Sequence, residues 1–168
     1  MTTHDQLLGI LLEFHKDRLA LRQRHVAVAR HVANYAFNNT YQYIVNREDV
    51  HLQWLEAAIA ELDGTPAQVP EPTLPAHARK DDVMPLVGED AKAAAQHVAK
   101  WRPRLAEVGN ARHRTMMGLI LGEALEQKRF FDQMVAGNEN LLGRRANGPG
   151  RSGTGDGVMA ERWVGWKG

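Results

Sequence analysis

Two side chains capable of chemistry stand three residues apart in Glu48-Asp49-Val50-His51. They lie in a run from Asn34 to Leu62 that contains neither Gly nor Pro, which predicts a helix. Residues three apart share a helix face, so a carboxylate and an imidazole project together. One helix of a bundle-core metal site contributes that pair. Without cysteine, the available ligands are His, Asp and Glu, which favour iron, manganese or zinc over soft metals.

The chain that must position this pair has 168 residues, enough for one domain with a sizeable core. The absence of Cys excludes disulfides, thiolate zinc sites and cysteine nucleophiles. A net charge of +1 gives no field that would attract nucleic acid. No apolar run approaches the roughly 20 residues of a membrane span. The opening residues lack the basic segment and cleavage site of a signal peptide, so a soluble cytoplasmic protein is expected. P-loop, Gly-x-Ser-x-Gly, zincin and dinucleotide fingerprints do not occur, which leaves nucleotide and common hydrolase chemistry unsupported.

Four helical regions are expected. Leu7, Leu8, Leu11, Leu12, Phe14, Leu19, Leu21, Val26, Val28 and Val32 recur at spacings near three and four, which predicts a helix over 5–32. Lys16, Arg18, Arg22, Arg24 and Arg30 are placed on its solvated side, and Thr3 or Asp5 caps its start. A turn near 32–36 leads to the second helix, which stops at Asp63-Gly64. Residues 64–80 carry four prolines and read as an extended connector. At about 3.3 Å per residue it reaches roughly 55 Å, more than the ~39 Å of a 26-residue helix. It is therefore able to cross the whole bundle and start the third helix at the same end as the second. The third helix is expected over 81–107, with Pro85 in the first turn and Pro103 kinking or ending it. A turn at Gly109-Asn110 precedes a fourth helix over 110–142.

These features resemble the ferritin-like superfamily, which includes ferritins, rubrerythrins and di-iron oxygenases. The resemblance covers residues 5–142: four long helices, a crossover after the second, and Glu-x-x-His on the second. It implies an antiparallel all-α four-helix bundle with a long crossover between helices 2 and 3. It further implies a carboxylate on the first helix, for which Glu13 and Asp17 have suitable spacing before Glu48. On the third helix it implies Glu89 or Asp90, and on the fourth a second Glu-x-x-His. That fourth motif reads Glu123-Ala-Leu-Glu126, so the second His is replaced by Glu. The implied metal ligands are Glu13, Asp17, Glu48, His51, Glu89, Asp90, Glu123 and Glu126, holding iron or manganese for iron oxidation or oxygen activation. The alternative is a non-catalytic helical scaffold or interaction protein with a vestigial site and no cofactor. The carboxylates then serve as ordinary helix charges, and His15, His25 and His31 as surface or satisfied core histidines. Tyr35, Tyr41 and Tyr43 read most simply as core or boundary aromatics.

From residue 143 the composition shifts to a Gly-rich linker and then Val158 to Trp166, which holds two of the four tryptophans. The bundle is thus assigned to 1–142 and a linker and tail to 143–168. A homodimer is expected, with the tail docking on its own bundle or on a protein partner.

Overall fold

A computed structural model describes residues 3–75 and 83–143, and within them the chain forms four α-helices and no strand. Helix α1 spans His4–Ala29, α2 Tyr35–Ala60, α3 Met84–Arg104 and α4 Ala111–Val135, with a 3-10 turn at Leu105–Glu107 after α3. The expected linker and tail from 144 onward lie outside the described residues, as does the start expected for α3 at Asp81.

Helices α1, α2 and α4 begin where a side chain satisfies one of their first amides. Thr3 and Gln6 close a capping box at α1, while Asn34 and Asn110 accept from the amides of Phe37 and His113. Asn34, one of several possible breaks in the sequence, is thus a start signal. At α3, Pro85 falls in the first turn, where a missing N–H costs nothing. Pro103 is tolerated in the last turn, and the helix continues only to Arg104 before tightening.

The end of α2 is a Schellman turn. The amide of Gly64 donates to the Ile59 carbonyl and that of Asp63 to Ala60, both at 3.0 Å. The residue in the left-handed conformation is Asp63, at φ 55°, and not the glycine expected there. Gly64 is required for space: a Cβ would sit 2.4 Å from Leu8 Cδ1 and 2.8 Å from Ile59 Cγ2.

The closest helix pairs are α1–α2 and α3–α4, with lighter contact between α1–α3 and α2–α4. Direction follows from the pairs that meet. Glu13 reaches Arg104, and Arg24 reaches Asp90, so α1 and α3 run oppositely. Tyr43 packs on Phe130 and Glu61 pairs with Arg112, so α2 and α4 also run oppositely. The connector leaves α2 beside Leu8, takes a hydrogen bond from Gln23 at the Val69 carbonyl, and pairs Glu71 with Arg30. Residues 64–71 therefore run alongside α1 from Leu8 to Arg30.

Two apolar clusters fill the interior. One holds Leu11, Phe14, Leu55, Ile59, Trp101, Met117 and Ile120; the other holds Val28, Tyr41, Ile44, Val87, Phe131 and Met134. Burying each such side chain contributes about 1.5–3 kcal/mol. Between the clusters in sequence register, on α1, α2 and α4, lie Arg18, Glu48, His51 and Gln127, all buried.

Candidate functional site

The polar layer is centred on Arg18. Its side chain and that of Glu48 are both 0% exposed. Arg18 Nη2 donates to Glu48 Oε1 at 3.2 Å, and His25 Nδ1 donates to Glu48 Oε2 at 2.9 Å. Both carboxylate oxygens are therefore engaged by groups from α1. Burial acts to lower the His25 pKa, but the charge and hydrogen bond of Glu48 outweigh it and hold the imidazole above its usual value. Burial lowers the pKa of Arg18, which the charges of Glu48 and Glu123 oppose.

The reading of Arg18 as a solvated residue is corrected by this geometry. Leu11, Arg18 and His25 are seven apart, so they lie on one α1 stripe facing the interior. An arginine can occupy such a stripe only beside an anion, and Glu48 supplies it. His25 is likewise buried; Tyr35 is largely exposed, Tyr43 partly so, and Tyr41 fully buried.

Beside this group, His51 Nε2 lies 3.0 Å from Glu123 Oε2, without the alignment of a hydrogen bond. Arg47 clamps both Glu123 oxygens and lowers the pKa of that carboxyl. Burial and the nearby Arg18 charge push His51 down to about 4, so it is neutral near pH 7. The ring nitrogens of His51, the amide of Gln127, and Nε and Nη1 of Arg18 have no hydrogen-bond partner among the described residues.

A second buried carboxylate, Asp90, accepts from Arg24 Nε and from the Tyr41 hydroxyl at 2.6 Å. Burial, then the Asp90 charge, raises the Tyr41 pKa, so this tyrosine stays a protonated donor. His97, against Phe14 on α1, is pushed down to about 3 by burial and the Arg18 charge.

The eight residues implied as ligands are dispersed. Glu48, His51 and Glu123 belong to the central layer, and Asp90 is buried with Arg24 and Tyr41. Glu13 lies on the α1–α3 seam with Lys100 and Arg104, and Asp17 with Lys100 and the Trp101 indole. Glu89 and Glu126 are half exposed and pair with Lys92 and Arg129 on their own helices. Among the described residues, three or more acidic or histidine side chains do not gather as a metal-holding group. Sequence reasoning missed Arg18 and His25, and the seven-residue register was the signal that marked them.

Fold and site together define an all-α four-helix protein with an ionic layer in its core. No protein-family model, curated protein or solved structure matches the chain. Among the described residues, no helix is long and apolar enough to cross a membrane.

Proposed function

We propose that this chain is a ferritin-like bundle whose core charge is balanced by its own arginine, and that it acts as a non-catalytic helical scaffold or interaction protein. The observation that carries the reading is the buried Arg18 donating to the buried Glu48. Opposite running of α1–α3 and α2–α4, with a connector following α1, supports the ferritin-like order of helices.

The donor set does not fit iron as the family resemblance implies. Glu48 already faces a guanidinium and an imidazole, Glu123 is clamped by Arg47, and Asp90 by Arg24 and Tyr41. A divalent ion next to Arg18 would meet a like charge in a low-dielectric interior. The pairing of Glu13 and Asp17 with Lys100 removes the first-helix carboxylates from this layer.

A second reading, a carboxylate/His site for iron or manganese with oxidative chemistry, is favoured by one observation: both nitrogens of the buried His51 lack a hydrogen-bond partner. Equilibrium dialysis of the full chain against Fe(II), Mn(II) and Zn(II), with metal analysis of the retained protein, separates the readings. The scaffold reading expects no metal near stoichiometry. One equivalent or more in wild type, lost in Glu48→Ala/His51→Ala, would establish the metal reading instead.

A further inference from the structure

A groove of about 420 Å³ lies between the C-terminal half of α1 and the N-terminal half of α2, a volume within the range of ligand sites. Val26, Ala29 and Val45 form its apolar wall. Two of its polar groups are already engaged. Asn38 donates to the carbonyls of Ala29 and Val32, and Arg22 is held by Asp49. Others are open. Gln42 and Asn46 are exposed, and neither side chain takes a hydrogen-bond partner among the described residues. Arg30 engages only Nη1, with Glu71, so among the described residues its Nε–Nη2 edge is open too.

The adjoining flank of α1 shows what such groups hold. There Gln23 Nε2 donates to the Val69 carbonyl at 3.0 Å, and Arg30 takes Glu71, both from the connector. Pro66, Pro70 and Pro72 surround these two contacts in sequence. From Leu8 to Arg30, α1 advances ~33 Å, whereas the seven residues after Gly64 reach at most ~25 Å. Residues 64–71 are therefore drawn out nearly straight, and the Arg30 and Glu71 side chains cover the remainder. The protein thus holds one proline-rich, extended strand by an amide on a carbonyl and an arginine on a carboxylate.

We infer that the α1–α2 groove binds an extended, proline-containing peptide of a partner protein, with one peptide carboxylate on Arg30. Pitch selects the conformation. Gln42 and Asn46 stand ~6 Å apart along α2, and two residues of a polyproline II strand advance ~6.2 Å. Each amide meets every second peptide unit, where it donates to a carbonyl or accepts from an N–H. A strand of this kind has no internal hydrogen bonds and is already extended before it binds.

Charge selects the side chain. The Nε–Nη2 edge of Arg30 takes a carboxylate in bidentate fashion, which joins guest and connector through one guanidinium. Asp49 offsets Arg22, and Glu71 faces Arg30, so the groove lacks the positive excess that a nucleic acid needs. From Asn38 to Asp49 the groove runs ~16 Å, the length of about five peptide residues, whose small apolar side chains meet Val26, Ala29 and Val45.

The inference deepens the interaction-protein reading by naming its partner class, and rests on that reading. Metal dialysis reports on the core and peptide binding on the groove, so the two fail separately. The probe is a fluorescein-labelled peptide with the sequence of residues 66–72, titrated with the full chain and followed by fluorescence anisotropy. Saturable binding is expected, weakened about 10-fold or more in Gln42→Ala/Asn46→Ala and as much when the probe's Glu is replaced by Gln. Both positions are exposed on a helix that favours Ala, so helical circular dichroism stays unchanged. Gln23→Ala, on the connector side, is expected to leave the affinity unchanged. Absence of saturable binding up to about 1 mM chain overturns the inference. So does binding that the paired substitution leaves intact, or that Gln23→Ala abolishes, which would place the probe on the connector's own track. Displacement of the probe by phosphate or acetate at matching concentration would show a small-anion site only, and overturns it as well.

Discussion

The two lighter seams of this bundle solve the same packing problem with different chemistry. Along α1–α3, carboxylates meet cations: Glu13 with Lys100 and Arg104, Asp17 with Lys100, and Asp90 with Arg24. Arg104 and Lys100 also lie against the Trp101 ring at 4.2 and 5.1 Å. Along α2–α4, Arg47 clamps Glu123 among Tyr43, Phe130 and Trp54, and Glu61 pairs with Arg112 at the far end. The first seam is closed by its own charges and exposes no large apolar side chain among the described residues. The second leaves aromatic surface uncovered. The difference teaches that charged residues at suitable spacings need not converge: most of the acidic residues implied as ligands are engaged in closing seams.

Acid should weaken both seams and produces the largest of the following effects. His97 belongs to the α1–α3 side, where Arg18, Lys100 and Asp17 act on it, and His51 to the α2–α4 side, facing Arg18, Arg47 and Glu123. Their folded values, about 3 and about 4, lie below the ordinary histidine value of about 6.5. Below pH 6.5 the unfolded chain takes protons that the folded chain refuses, so their contribution is full above 6.5 and lost as pH falls. For His97 the loss is about 1.4 kcal/mol per pH unit once the unfolded group is protonated. His25 opposes this: its folded value is raised, so its contribution is present below 6.5 and lost as pH rises through that value. Urea unfolding from pH 7 to 4.5 should show falling stability in wild type and a shallower fall in His97→Gln. An equal slope in the two proteins would mean that His97 is not held neutral.

Tyr41→Phe sharpens the comparison on the α1–α3 side. It removes a buried hydrogen bond to Asp90, and a bond to a charged group contributes about 1.5–3 kcal/mol. Thermal unfolding should register that loss, whereas an unchanged Tm would show that Asp90 is satisfied by Arg24 alone. Glu13→Gln should cost the least, about 0.5 kcal/mol, because its pairs with Lys100 and Arg104 are half exposed. That cost should vanish in 0.5 M salt, and a cost that survives salt would indicate packing in place of charge.

Much of the architecture was legible in the sequence. Apolar spacing located four helices, and Pro85 and Gly109-Asn110 marked a start and a turn. Boundaries were less so. Helix α4 ends at Val135, where the sequence extended it to 142, because Gly137 at φ 80° and the Asn138 amide bonded to Gln133 close the helix first. The core layer was half legible: Glu48 and His51 do point inward, but the partner of Glu48 is a cation. Charge type alone assigned Arg18 to solvent, whereas its register with Leu11 and His25 assigned it to the core. Register prevailed because Glu48 neutralises the arginine there.

The central claim is that Arg18 and Glu48 form one buried unit, and a double-mutant cycle tests it most directly. The unfolding free energies of wild type, Arg18→Met, Glu48→Met and the double variant would be measured near pH 7. Each single substitution strands a buried charge and should cost about 3–5 kcal/mol, while the double variant should recover most of that loss. Single losses that simply add in the double variant would contradict the account.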